Sequence, residues 1–446
     1  MEGKTVSTWA GTFSCTPELY FEPGSVDEIK QILESARKAS KRVRMSGQFH
    51  SPSNIAMTDG YMINMKNFNH VIEVDKDKCQ ISVEGGCIME DLNAKILPLY
   101  GMALSNLAAM SNITVAGAIS TGTHGTGAKH GILATQVIQL ELLTAQCEIL
   151  RCSRMENEDL FRAALCSLGC LGVIVTVTIQ CEPEFKLHKR QMSCTLDEVL
   201  DKLDNHVASS EFFQVTWFPH TEGAIMSQTD RTREPVMSSF NWFRDCFLSF
   251  YTLQFLYWLS SFLPGLIPSI NRLFYKWCFT GCRDDIAMSH ANFAISFRFK
   301  HDVTEWAIPR SHTAAVLREL KSWLAANKGV YVHIGVDLRF VQEDDIMLSP
   351  AYGRETCFIN TVMNRPLGKF IPHDEFWSAF ERIMCSVGGR PHWAKTHELT
   401  GSELKVAYPE FEAFCEIRQR LDPQGMFLND YMERILPLVK GPVSPW

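Results

Sequence analysis

His50 and Ser51 close the run Gly47-Gln48-Phe49-His50-Ser51, where an apolar, strand-like stretch beginning at Val43 breaks at a glycine and ends in an imidazole beside a hydroxyl. Glycine at such a turn lets backbone N–H groups approach a pyrophosphate closely, and the Ser51 hydroxyl can donate to the same oxygens. His50 would then project beside whatever ring those phosphates carry. A second loop, residues 114–127, is dense in Gly, Thr and Ser yet embedded in apolar sequence. That composition suits backbone that must come close to a ligand. Its candidates for binding are Thr114, Gly117, Gly122, Thr123, His124, Gly125 and Thr126.

A third group is charged. Residues 330–340 alternate with period two, so Val330, Val332, Ile334, Val336, Leu338 and Phe340 share one face of a predicted strand and His333, Asp337 and Arg339 the other. A carboxylate and a guanidinium two residues apart then point into the same space. That pattern fits an ion pair on a half-exposed sheet as well as a pair that holds a polar substrate. Late in the chain, His392-Trp393-Ala394-Lys395 offers an imidazole and an ammonium, and Asn360 lies on a predicted neighbouring strand, residues 357–363. His392 could accept a proton or serve as a structural donor.

Elements must carry these groups to one place. Ser25-Val26-Asp27-Glu28 reads as a helix start, with apolar Val26, Ile29, Ile32, Leu33 and Ala36 at helical spacing behind it. This helix leads into the strand that delivers His50. Residues 80–84 alternate as a strand, residues 89–97 read as helical, and the β-branched run 173–179, which contains the candidate Ile174, reads as a buried strand. Up to about residue 182 the pattern is that of one α+β unit. Strands and a helix near residues 313–325 follow in a second region ending near residue 380, with a C-terminal segment after it.

One stretch stands apart. Residues 246–271 carry no charged side chain and are long enough to span a bilayer at ~1.5 Å per residue. Pro264, Gly265 and Pro268 interrupt it, and a single span would put His50 and Lys395 on opposite sides of the membrane. A buried helical hairpin and an interfacial attachment both remain open.

A chain of 446 residues exceeds what one core usually supports, so two domains are expected. The formal charge of −7 and the lack of a basic run argue against nucleic acid as a partner. The 15 cysteines are scattered, odd in number and without zinc-site spacing; they read as mostly buried reduced thiols, and no metal is expected. The N-terminus has no apolar h-region, so no cleaved secretory signal is expected.

The two glycine loops resemble those of the FAD-linked sugar and aldonolactone oxidases, flavoproteins of the vanillyl-alcohol-oxidase type. So do Gly169-Cys170-Leu171-Gly172, Trp217-Phe218-Pro219-His220, Trp306-Ala307-Ile308-Pro309-Arg310, His392-Trp393-Ala394-Lys395 and Leu421-Asp422-Pro423-Gln424-Gly425. The matches run in the family's order over nearly the whole chain. The resemblance implies an α+β, two-domain FAD-binding fold with an α+β cap over the flavin: FAD-binding domain 10–182, substrate cap 183–380, and a segment 381–446 returning to the flavin.

It also implies FAD bonded covalently through His50. The implied reaction is oxidation of the C2 hydroxyl of L-gulono-1,4-lactone by O2, giving a 2-keto lactone that tautomerises to L-ascorbate, and hydrogen peroxide. An oxidase or dehydrogenase for another aldonolactone or an alditol is the alternative. Such chemistry removes a hydride and a proton while negative charge develops on the flavin's N1/C2 carbonyl edge. By resemblance, Asp337 orients the substrate hydroxyl, Arg339 binds lactone oxygens and steadies that charge, and Lys395 adds an ammonium nearby. The family carries Glu where this chain has Asp337, and more glycine where it has Gln48 and Phe49. Finally, the resemblance tips residues 246–271 toward an endoplasmic reticulum (microsomal) membrane, with a cytosolic location as the alternative.

Overall fold

The computed structural model describes residues 2–293 and 299–436, so the last ten residues of the expected C-terminal segment lie outside it. Alongside two two-stranded ribbons, the first lobe is built on two main sheets. In one, the strands Leu19–Phe21, Tyr61–Asn64 and Val43–Ser46 run parallel in that order. Parallel neighbours need a crossover, which the helix Val26–Lys38 supplies. The Ser25 side chain accepts from the Glu28 amide as the start signal requires, while the Glu28 carboxylate returns to the Gly24 amide. The helix buries Ile29, Ile32, Leu33 and Ala36, the predicted stripe.

The other sheet is antiparallel, in the order Ile149–Ser153, Val137–Leu143, Val173–Gln180, Gln80–Glu84 and Val71–Asp75. The β-branched run is its central strand, which is why valine and isoleucine are buried along most of it. The segment expected as one helix from residue 89 is a short α-turn followed by wider and tighter turns ending at Tyr100, with Pro98 breaking the regular ladder.

The second lobe is built on one eight-stranded antiparallel sheet. Its order is Cys282–Met288, Lys186–Thr195, Gly223–Thr232, Phe212–Trp217, Val336–Val341, Thr356–Asn364, His301–Pro309 and Arg390–Pro391. Val336, Leu338 and Phe340 point to one face and are fully buried in a core shared with Leu317 and Leu320 of the helix Thr313–Ala326 and Phe376 and Phe380 of the helix Asp374–Ser386. Each such side chain contributes roughly 1.5–3 kcal/mol on burial. The opposite face therefore carries the polar residues.

Three expectations change. The period-two strand begins at Val336, because Gly335 at φ 102° breaks the extended chain before it. His333 thus leaves the polar face: it is buried against Tyr257, ring centroids 3.9 Å apart, with Nδ1 accepting from the Asn364 amide at 3.0 Å. The boundary placed at 380/381 falls inside the helix Asp374–Ser386, whose apolar stripe continues through Ile383 and Met384. And the segment after it joins the cap sheet directly, Arg390–Pro391 forming the edge strand beside Trp306 and Ala307.

Residues 246–271 belong to a helical hairpin with bulged, wide turns at both ends, Phe243–Thr252 and Tyr275–Phe279. Among the described residues, no helix is long and apolar enough to cross a membrane. Leu253, Tyr257, Ile270 and Phe274 pack inward. Trp242, Phe243, Phe247, Tyr251, Phe255, Phe262 and Trp277 are exposed.

Candidate cofactor and substrate site

A cleft of about 200 Å³ is walled by the turn after Val43–Ser46, the loop into the helix Val115–Ser120, residues 168–174 and the returning segment at His392, Ala394 and Lys395. Of the sequence candidates, Gly47, His50, Ser51, Thr114, Gly117, Thr123, Ile174, His392 and Lys395 line it. No carboxylate does, so nothing in the wall repels a pyrophosphate.

Gly47 is needed for close approach: a Cβ there would meet the Thr114 side chain at 2.7 Å, and Thr114 is occupied in capping the next helix through the Gly117 amide. The left-handed residue of the turn is not this glycine. It is Phe49, at φ 56°, whose carbonyl accepts from the Trp9 amide. Trp9 also stacks on His50, ring centroids 5.8 Å apart. The His50 Nδ1 atom is buried with no hydrogen-bond partner, and burial together with the Lys395 charge lowers its pKa. A neutral imidazole that lines an acid-free cleft and keeps one buried, unpartnered nitrogen fits an attachment point for a flavin.

The other four loop candidates do not line this cleft. Gly122 packs against Pro350 and Cys166. Gly125 and Thr126 turn toward a smaller cavity that also holds Arg339, and Thr126 ties the loop to the cap by accepting from the Phe340 amide. His124 is buried and stacks on Phe358 of the cap, centroids 3.6 Å apart. The loop so dense in hydroxyls is thus half cofactor wall and half hinge to the cap.

On the polar face of the cap sheet, register sets residues abreast. Glu305, Asn360, Asp337 and Thr216 form one row across four strands, and Phe358, Arg339, Gln214, Ser227 and Gln191 form the next. The Thr216 hydroxyl donates to Asp337 at 2.5 Å, fixing the carboxylate. Asp337 and Arg339 are half-buried and share this face as the alternation requires.

Glu305 joins the two lobes. Its Oε1 lies 3.1 Å from His124 Nε2, and its Oε2 lies 3.7 Å from Lys395 Nζ. The other His124 ring nitrogen faces the Gly125 carbonyl at 2.9 Å, so both nitrogens meet oxygen acceptors, an arrangement a doubly protonated ring satisfies. Burial alone would raise the Glu305 carboxyl, but the charge and hydrogen bond of His124 and the charge of Lys395 outweigh it and hold it well below the usual range. Burial lowers Lys395, with Glu305 opposing and Arg339 adding to the shift.

His392 accepts the Ala394 amide at Nδ1, 3.1 Å, and burial pushes its pKa down to about 3, so the ring is neutral with its proton on Nε2. Of the two roles open in the sequence, the donor fits. His124, Glu305 and His392 also bring one ligand atom each within 4.8 Å of one another, but the nearest pair is already satisfied as a hydrogen bond.

Sequence reading missed Glu305, Trp9 and Arg44. Glu305 had a signal: it is the one carboxylate in the apolar run 303–308. Arg44 lines the cleft but spends its guanidinium on the carbonyls of Ile55, Leu168, Gly169 and Phe427.

Comparison with known proteins agrees with this geometry. Residues 17–153 match an FAD binding domain, and residues 177–435 match the D-arabinono-1,4-lactone oxidase family. The chain is 49% identical to L-gulonolactone oxidase of Bos taurus, covering 97% of this chain and 98% of that one. It is 47% identical to the Mus musculus enzyme of the same name, over 97% and 98%. Among solved structures it is similar to a solvent-stable cholesterol oxidase, with a TM-score of 0.80 at 16% identity and 97% of each chain covered; that likeness carries the fold alone, of the vanillyl-alcohol-oxidase type. The chain belongs to the D-arabinono-1,4-lactone oxidase family of FAD-dependent aldonolactone oxidoreductases.

Proposed function

We propose that the chain oxidises L-gulono-1,4-lactone at its C2 hydroxyl, using O2 and releasing hydrogen peroxide, and that the resulting 2-keto lactone tautomerises to L-ascorbate. The observation that carries this reading is Lys395, which lines the cofactor cleft and at the same time pairs with Glu305 in the polar row of the cap. Cofactor and sugar would meet at that side chain. FAD, when bound, supplies the hydride acceptor. Gly47, Ser51, Thr114, Gly117 and Thr123 would hold it, with Ile174 on the apolar wall.

The protein's own groups supply position and charge. Asp337, held by Thr216, orients the reacting hydroxyl; Arg339 and Lys395 place positive charge where oxygen becomes electron-rich; His392 donates through Nε2. Covalent attachment through His50 is supported by its buried, unpartnered Nδ1.

Attachment to the face of an endoplasmic reticulum membrane is supported by the exposed aromatic side of the hairpin, where Lys369 Nζ sits 3.7 Å over the ring of Phe262. Flotation with anionic vesicles checks this: the Phe247→Ser/Phe255→Ser protein should stay at the bottom while wild type floats.

The central test is a visible spectrum before and after acid precipitation, followed by anaerobic L-gulono-1,4-lactone and then air. Yellow colour that stays in the pellet, and in the native protein is bleached by lactone and restored by oxygen, is expected. His50→Ala should release the colour to the supernatant. A bound flavin that no aldonolactone bleaches would overturn the substrate; one that is bleached but restored only by a dye acceptor would overturn the use of O2.

A further inference from the structure

Beyond the row that meets Lys395, the cap sheet holds a second, small cavity of about 40 Å³ whose polar wall includes Lys189, Gln214, Ser227, Thr229, Asn292 and Arg339. Four neighbouring strands supply five of these residues on one face, with Lys189 opposite Thr229, and Gln214 between Ser227 and Arg339. No carboxylate lines it.

Among the described residues, neither the Lys189 ammonium nor the Arg339 guanidinium has a hydrogen-bond or ion-pair partner. The two carboxylates whose charge reaches Lys189 are Asp285, its cross-strand neighbour, and Asp337. Both are engaged elsewhere, Asp285 by the amide and hydroxyl of Ser239 and Asp337 by Thr216. Two cations that line one partly desolvated space repel, and burial with the Arg339 charge lowers the Lys189 pKa accordingly. A neutral diol would not relieve that repulsion. An anion would.

We propose that the Lys189–Arg339 cavity is an anion subsite adjoining the oxidation site, built for a delocalised sugar-acid oxyanion. This rests on the lactone-oxidase reading for the identity of the anion. Oxidation at C2 followed by tautomerisation gives an enediol conjugated to the lactone carbonyl, a vinylogous carboxylic acid that ionises in neutral water. Ring opening of the lactone gives an aldonate carboxylate. Both present two oxygens sharing one charge, the acceptor that an ammonium and a guanidinium side by side complement. The enzyme would hold its product more tightly than its uncharged substrate, and turnover would slow as product accumulates.

Anaerobic calorimetry on the holoenzyme tests this with four probes: L-gulono-1,4-lactone, L-ascorbate, L-gulonate and inorganic phosphate. In wild type, ascorbate or gulonate should bind more tightly than the lactone, and the stronger of the two names the source of the anion. Lys189→Met should lower the anion-to-lactone affinity ratio at least about tenfold, Lys189→Arg should keep it, and Lys276→Met on the hairpin should not change it.

An unchanged ratio in Lys189→Met overturns the proposal. So does failure of both sugar anions to bind wild type, whether or not phosphate does. Should Lys189→Met fail to fold, Thr229→Val, on the same wall, must weaken the anions alone or the proposal falls. If the lactone neither binds nor bleaches the flavin, the oxidase reading fails separately, because the gulonate and phosphate titrations do not depend on turnover.

Discussion

The two walls of the site are made of different materials. On the cofactor side, close backbone, glycine and short hydroxyl side chains form a cleft without a single acid. On the cap side, long charged side chains stand in rows on a sheet, and the central contact is an ion pair between the buried Glu305 and the half-buried Lys395. A backbone-built wall is specified locally, by a few consecutive residues. A side-chain-built wall is specified by register between strands that lie up to about half the chain apart, so its parts work only together.

The sharpest break in that contrast comes from Glu305. Glu305→Gln keeps the shape but leaves His124 and Lys395 uncompensated, and removing one partner of a buried pair costs about 3–5 kcal/mol. Urea unfolding should show that loss at neutral pH. Because the folded-state carboxyl lies below its unfolded value of 4.5, its stabilisation is present above that pH and is lost as pH falls through the folded value. The two unfolding curves should therefore converge in acid; a constant gap would mean the effect is packing rather than charge.

Arg339→Ala comes next. It should leave flavin content intact while cutting the rate of anaerobic flavin bleaching by lactone about 10²–10³-fold, some 3 kcal/mol of transition-state charge stabilisation. Unchanged bleaching would remove Arg339 from the reaction.

The smallest effect belongs to the cofactor wall. Gly47→Ala presses a methyl onto Thr114, an overpacking cost of about 1–3 kcal/mol. FAD retention after gel filtration should drop, and the added Thr114→Ala change, which removes both the methyl and the hydroxyl that the new Cβ would meet at 2.7 Å, should restore part of it at the cost of the helix cap. If the double variant retains no more FAD than the single one, the close approach to Thr114 is not what requires glycine.

This difference in construction also explains what could be read in advance. The helix after Ser25, the central strand Val173–Gln180 and the turn at His50 follow from patterns of a dozen residues or fewer, and each is found. Asp337 and Arg339 were legible as sharing a face because alternation is local. Glu305 was passed over, since nothing within residues 303–308 says that His124, far earlier in the chain, will stand opposite it. The loop 114–127 was read as one binding surface, and its second half proved to serve the cap, because a glycine that makes room for a ligand and one that makes room for another lobe look the same in sequence. Both of these features are contacts between segments, not properties of a segment.

The returning chain stitches the two lobes together. Arg390–Pro391 completes the cap sheet, the residues just after it bring His392 and Lys395 into the cleft, and Asn429 and Phe427 then fasten the tail to Ile55, Met57 and Arg44 in the first lobe. The cleft therefore lacks its fourth wall until the chain has been made past Lys395. A chain released early would carry His50 and both glycine loops and still have nothing to close over the cofactor.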